Sequence, residues 1–74
     1  MSTLPSVTGS RLIRVLRKIG FEVIRIKGSQ HFLQHPDGRR TVIPAHRGET
    51  IGRGLLFQIL KDCDISTEEL HKLL

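Results

Sequence analysis

The chain has 74 residues and carries 12 Lys+Arg against 7 Asp+Glu, a formal charge of +5. This length predicts one domain, residues 1–74, with a small core that buries roughly 60% of the surface exposed by the unfolded chain. The single cysteine, Cys63, has no partner for an internal disulfide, no apolar run is long enough to span a membrane, and no signal-peptide pattern is evident, so a cytoplasmic protein is expected. The positive charge is unevenly spread. From Met1 to Gly48 nine basic residues face two acidic ones, whereas from Glu49 to Leu74 three face five. A basic excess confined to one stretch is the footprint of a polyanion binder, although a solvated surface kept for solubility has the same composition.

Residues 1–7 read as a loose lead-in. Thr8 is placed to cap a helix, because its side-chain oxygen can accept from an unpaired N–H of the first turn. Leu12, Val15, Leu16 and Ile19 recur at helical spacing and make an apolar face, while Arg11, Arg14 and Lys18 share another. Gly20 ends this helix. Phe21 to Lys27 is rich in β-branched residues and predicts a strand. Gly28 and Ser29 make a tight turn. A second strand, Gln30 to His35, puts His31, Leu33 and His35 on one face and Gln30, Phe32 and Gln34 on the other. Pro36-Asp37-Gly38 is a turn, with proline presetting φ and glycine supplying a left-handed residue. Arg39 to Ile43 is a third strand, closed by Pro44.

Ala45 to Arg53 is a loop that holds His46. From about Gly54 the helical pattern returns, with Leu56, Ile59, Leu60 and Cys63 as its stripe. Ser66-Thr67-Glu68-Glu69 has the form of a capping box and opens a short last helix with Leu70, Leu73 and Leu74 inward. The order helix, three strands, helix, short helix predicts an α+β fold, a three-stranded antiparallel sheet with one face covered by the two main helices. This is the layout of the double-stranded-RNA-binding domain.

Four histidines stand in the chain, at 31, 35, 46 and 71. Histidine gives or takes a proton near neutral pH. Metal-free RNA cleavage needs a base for the 2′-OH and an acid for the leaving 5′ oxygen, help worth about 10²–10⁴-fold. His31 is the strongest candidate. It follows Gly28-Ser29 at the start of a strand, where a sheet edge faces solvent, with Lys27 four residues before it and Arg25 on the adjoining strand. Gly28 would let a phosphate approach the backbone closely. Read on its own, His31 is equally an ordinary strand residue beside a turn. His46, after the third strand, can reach the same rim as partner acid or phosphate contact. His35, before Pro36, reads as a turn residue, and His71 as a solvated one. His31 and His35 are roughly 13 Å apart along a strand, too far to share one ion, so neither a metal site nor a cofactor is expected. Cys63 reads as a small buried apolar residue.

Taken in order, these residues resemble the HicA family of toxin–antitoxin ribonucleases. Lys27-Gly28-Ser29-Gln30-His31 is similar to the family's G-S-x-H. His35-Pro36-Asp37-Gly38-Arg39-Arg40 is similar to its H-P-D-G-R hairpin, and Val42-Ile43-Pro44-Ala45-His46 to its V-P-x-H. Gly52-Arg53-Gly54-Leu55-Leu56 resembles its P-K-G-T-L helix start, with Gly52 in place of the usual Pro and Leu55 in place of Thr. The resemblance implies the RNA-binding-domain-like fold and cleavage of messenger RNA by the histidine that maps to His31. It also implies a catalytic turn shaped by Gly28 and Ser29, and silencing by a HicB-type antitoxin. Arg11, Arg14, Lys18, Arg39 and Arg40 are the expected phosphate contacts. A non-catalytic RNA-binding module would use the same cations, and an adaptor between proteins would use none of them on RNA.

Overall fold

Helix α1 runs Gly9–Lys18 in the computed structural model, which describes residues 3–74. Thr8 is its N-cap, and the threonine side chain accepts from the N–H of Arg11 at 3.2 Å. At the other end Gly20, with φ +104°, turns the chain and carries Phe21 straight into the core. Strands β1 (Glu22–Lys27), β2 (Gln30–Gln34) and β3 (Arg40–Pro44) form an antiparallel sheet in the order β1-β2-β3. Helix α2 (Arg53–Cys63) and helix α3 (Thr67–Leu73) complete the fold, with both halves of the expected capping box present at Ser66 and Glu69. The observed layout is the α+β arrangement that the sequence predicts.

Register decides which side chains share a face. His31 lies between Ile26 and Ile43, Leu33 is level with Val23 and Thr41, and Phe32 lies between Arg25 and Val42. Leu33 and Ile43 are buried under the helices, against Leu12, Leu16, Leu56, Ile59, Leu60 and Cys63. Phe32, Arg25 and Val42 therefore belong to the opposite, open face. A bulge between Val23 and Arg25 sets Ile24 out of register, and that side chain is 57% exposed.

Two expectations are corrected. The lead-in is part of the fold. Val7 is buried, its carbonyl accepts from the N–H of Ile51 at 2.8 Å, and Thr8 bridges to Thr50. Its short length and mixed composition hide this from a periodicity reading, since the pairing is with a loop far along the chain. Strand β3 begins at Arg40, because Arg39 belongs to the turn: its N–H goes to Asp37 Oδ1 and its carbonyl accepts from His35. Among the described residues no helix is long and apolar enough to cross a membrane.

Candidate active site

The hairpin between β1 and β2 has two central residues, Gly28 and Ser29, with Lys27 paired to Gln30. Gly28 has φ +61°, a conformation that costs a side-chain-bearing residue energy. This fixes the direction of the Ser29 carbonyl. That carbonyl accepts from the N–H of Ala45 at 2.8 Å and lies 3.0 Å from His31 Nδ1. A carbonyl oxygen can only accept, so Nδ1 of His31 carries the proton. In the neutral ring, Nε2 then holds the free lone pair, the state a general base requires.

The Ser29 side chain does a second job. Its Oγ lies 3.3 Å from Nε2 of His46, the bond running in the direction set by the His46 tautomer. Ser29 therefore ties both histidines to one turn, through its carbonyl and its hydroxyl. His46 also borders a small pocket of about 160 Å³ lined by Pro44, Glu49, Gly52 and Leu55. The loop that carries His46 is held from beneath by Val7 and Thr8, and by the start of α1, where Gly9 packs against Pro44 and Ala45.

The expected site residues separate into groups. Ser29, His31 and His46 come together. His31 is half-buried and stands at the end of the central strand, rather than at the lateral edge expected for it, because β2 has a neighbour on each side. Lys27, paired with Gln30, lies on the opposite face of the sheet from His31. Arg11, Arg14 and Lys18 line one shallow groove with Leu73 and Leu74. Arg40 is exposed and borders a cleft on the open face.

Arg39 is engaged within the fold. Its Nε donates to Asp37 Oδ2 at 2.8 Å, its Nη1 donates to the Cys63 carbonyl, and its guanidinium lies 5.1 Å from the Phe21 ring centroid. His35 joins the same cluster. Its Nε2–H donates to the Ile19 carbonyl at 2.9 Å, its Nδ1 accepts from the Asp37 N–H, and its ring meets Phe21 edge-on. Both ring nitrogens are used, so His35 ties the end of α1 to the β2–β3 turn. The backbone N–H of Arg39, followed by its guanidinium, holds the Asp37 carboxyl below its ordinary range. Cys63 is buried, and desolvation pushes its thiol up to about 12, with the nearby Asp62 carboxylate acting in the same direction. Among the described residues no three His, Cys, Asp or Glu side chains gather closely enough to hold a metal ion.

Two features escaped the sequence reading. The Ser29–His46 bond joins residues on separate elements, and no local pattern signals it. Leu55, recorded only as a departure from a motif, proves to border both the His46 pocket and the cleft on the open sheet face.

The fold and this turn define a small helix–sheet–helix domain whose candidate chemistry sits on one glycine-bearing hairpin. Residues 9–65 match the family of the HicA toxin of bacterial toxin–antitoxin systems, and the chain belongs to that family. The match spans α1 to the end of α2 and takes in Ser29, His31 and His46. Membership makes the chain the toxin of such a system and implies an antitoxin partner. No curated protein matches the chain.

Proposed function

We propose that this toxin is a metal-independent endoribonuclease that cuts messenger RNA and so stops translation in the cytoplasm, and that a HicB-type antitoxin silences it by covering the turn. The observation that carries the reading is the 3.0 Å contact of His31 Nδ1 with the Ser29 carbonyl, which leaves Nε2 as the basic atom. His31 Nε2 takes the proton of a ribose 2′-OH. The oxygen attacks the adjacent phosphorus, and the bond to the 5′ oxygen breaks. His46, in its protonated form, returns a proton to that leaving oxygen, giving a cyclic phosphate and a 5′-hydroxyl end. Gly28 leaves the turn open, since a Cβ there would meet nothing within 4 Å. Arg11, Arg14 and Lys18 form one basic groove that tracks the backbone, and Lys27 and Arg40 add positive potential from the open face. Arg39 contributes to this field but keeps its hydrogen bonds within the fold.

The test is RNA cleavage by purified protein, with chelator present, comparing wild type with His31→Ala and His46→Ala. His31→Ala is expected to lose about 10²–10⁴-fold in rate. His46→Ala is expected to remove the alkaline limb of a bell-shaped pH profile. Undiminished cutting by His31→Ala would sink the assignment. If wild type and variant bind RNA alike and neither cuts it, the RNA-binding-module reading replaces the enzyme.

A further inference from the structure

The face of the sheet turned away from the helices is not a plain solvated surface. Phe32 stands at its centre, half-buried, with the Arg25 guanidinium 5.7 Å from the ring centroid. Pairing places Lys27, Gln30, Gln34, Arg40 and Val42 on the same side. Helix α2 overhangs the β3 edge and brings Leu55 and Gln58 across from Phe32, closing a cleft of about 460 Å³. Asp62, at the far wall, accepts from Thr41 Oγ1 at 3.1 Å and from Gln58 Nε2 at 2.8 Å. Leu55 lines both this cleft and the His46 pocket, so the two are continuous past Pro44.

We propose that this cleft is a subsite for one unpaired nucleobase of the RNA, seated between the Phe32 ring and the Arg25 guanidinium. The inference rests on the reading of the chain as an enzyme acting on RNA. Three observations favour a nucleotide over a protein segment as occupant. An aromatic ring and a guanidinium plane offer the two surfaces on which unstacked bases are held. Lys27 and Arg40 flank the cleft on the side where phosphates of the same strand would pass. The cleft opens into the histidine site, so a strand bound at His31 and His46 reaches it without crossing an acidic surface. The consequence is register: a base seated on Phe32 sets which phosphate lies under His31.

The experiment uses the intact chain carrying His31→Ala, so that bound RNA stays whole. Short single-stranded RNAs, each with the fluorescent base aminopurine at a different position, are titrated against it. Stacking quenches this base, and quenching is expected at one register only. Phe32→Leu should remove the quench and weaken binding about ten-fold, while Phe32→Tyr, which keeps the ring, should preserve both. With His31 restored, Phe32→Leu should raise KM on long RNA and leave kcat and dinucleotide cleavage nearly unchanged. Arg25→Gln gives a second reading that leaves the apolar surface intact and should weaken binding with a shallower salt dependence. Unchanged quenching and affinity in Phe32→Leu and Arg25→Gln overturn the subsite while leaving His31 cleavage standing. Failure of the wild-type chain to bind or cut any RNA overturns both readings. If Phe32→Leu keeps full RNA affinity but loses the antitoxin, the face belongs to the protein partner and the proposal falls.

Discussion

Alanine in place of Gly9 tests how α1 is seated on the loop that carries His46. On helix propensity alone the change should help, by up to about 1 kcal/mol. The structure opposes this. A Cβ on Gly9 would fall on the Pro44 carbonyl oxygen, 2.9 Å from Ala45 Cα and 3.0 Å from the Pro44 carbonyl carbon. All three are backbone atoms and cannot rotate away, so α1 or the end of β3 must shift. Such overpacking costs roughly 1–3 kcal/mol, which outweighs the propensity gain at most values in that range. Gly54 provides the control. It also lies in a first helical turn, yet a Cβ there meets nothing within 4 Å. Gly54→Ala should therefore stabilise the protein by a few tenths to about 1 kcal/mol. For a chain of this size each kcal/mol moves Tm by about 4–8 °C, so the two alanines should shift thermal melts in opposite directions, Gly9→Ala the larger. Circular dichroism melts and urea titrations read the difference directly. A Gly9→Ala protein as stable as wild type, or more so, would refute the packing account. Because the displaced segment also positions the Ala45 N–H on the Ser29 carbonyl, Gly9→Ala should slow cleavage even below its melting range.

Two further outcomes follow from the cluster around Arg39. Asp37 has its pKa lowered in the folded state, so its stabilising contribution is complete above the unfolded value of about 4 and is lost as pH falls through the folded value. Asp37→Asn should melt lower than wild type near neutrality and converge with it in acid, whereas parallel Tm–pH curves would show that the carboxylate does not matter. Cys63, buried and with its thiol pushed up to about 12, should ignore thiol reagents at pH 8 in the folded chain and react freely in urea. Rapid labelling of the folded protein would mean that α2 opens far more readily than its packing against β3 implies.

Local patterns carried most of the fold. Thr8 and Ser66 announced their helices because capping is chemistry between residues three apart, and the apolar stripes of α1 and α2 follow one period throughout. The Gly28-Ser29 turn was equally readable, since a two-residue hairpin of this kind calls for glycine first. What stayed hidden was pairing between distant segments. Nothing local says that β2 is the central strand, that Val7 bonds Ile51, or that the hydroxyl of Ser29 meets His46. Arg39 shows the same limit from the other side. As one cation in a basic stretch it reads as a phosphate contact, and only the fold reveals the Asp37 carboxylate, the Phe21 ring and the Cys63 carbonyl around it. The individual histidines were legible as candidates. Which of them act together, and which nitrogen of His31 is basic, were not.

The double duty of Ser29 has a consequence for how the site is exposed to mutation. Replacing Ser29 by alanine deletes the hydroxyl that meets His46 and leaves the carbonyl that meets His31 in place, because every residue has one. A substitution scan at position 29 would therefore record only the His46 half of the turn and would undervalue the position. The half that orients the base is written in the path of the chain and answers to Gly28, whose φ of +61° aims that carbonyl. Drift at Ser29 would erode the acid gradually, whereas a side chain at Gly28 would disorient the base in a single step.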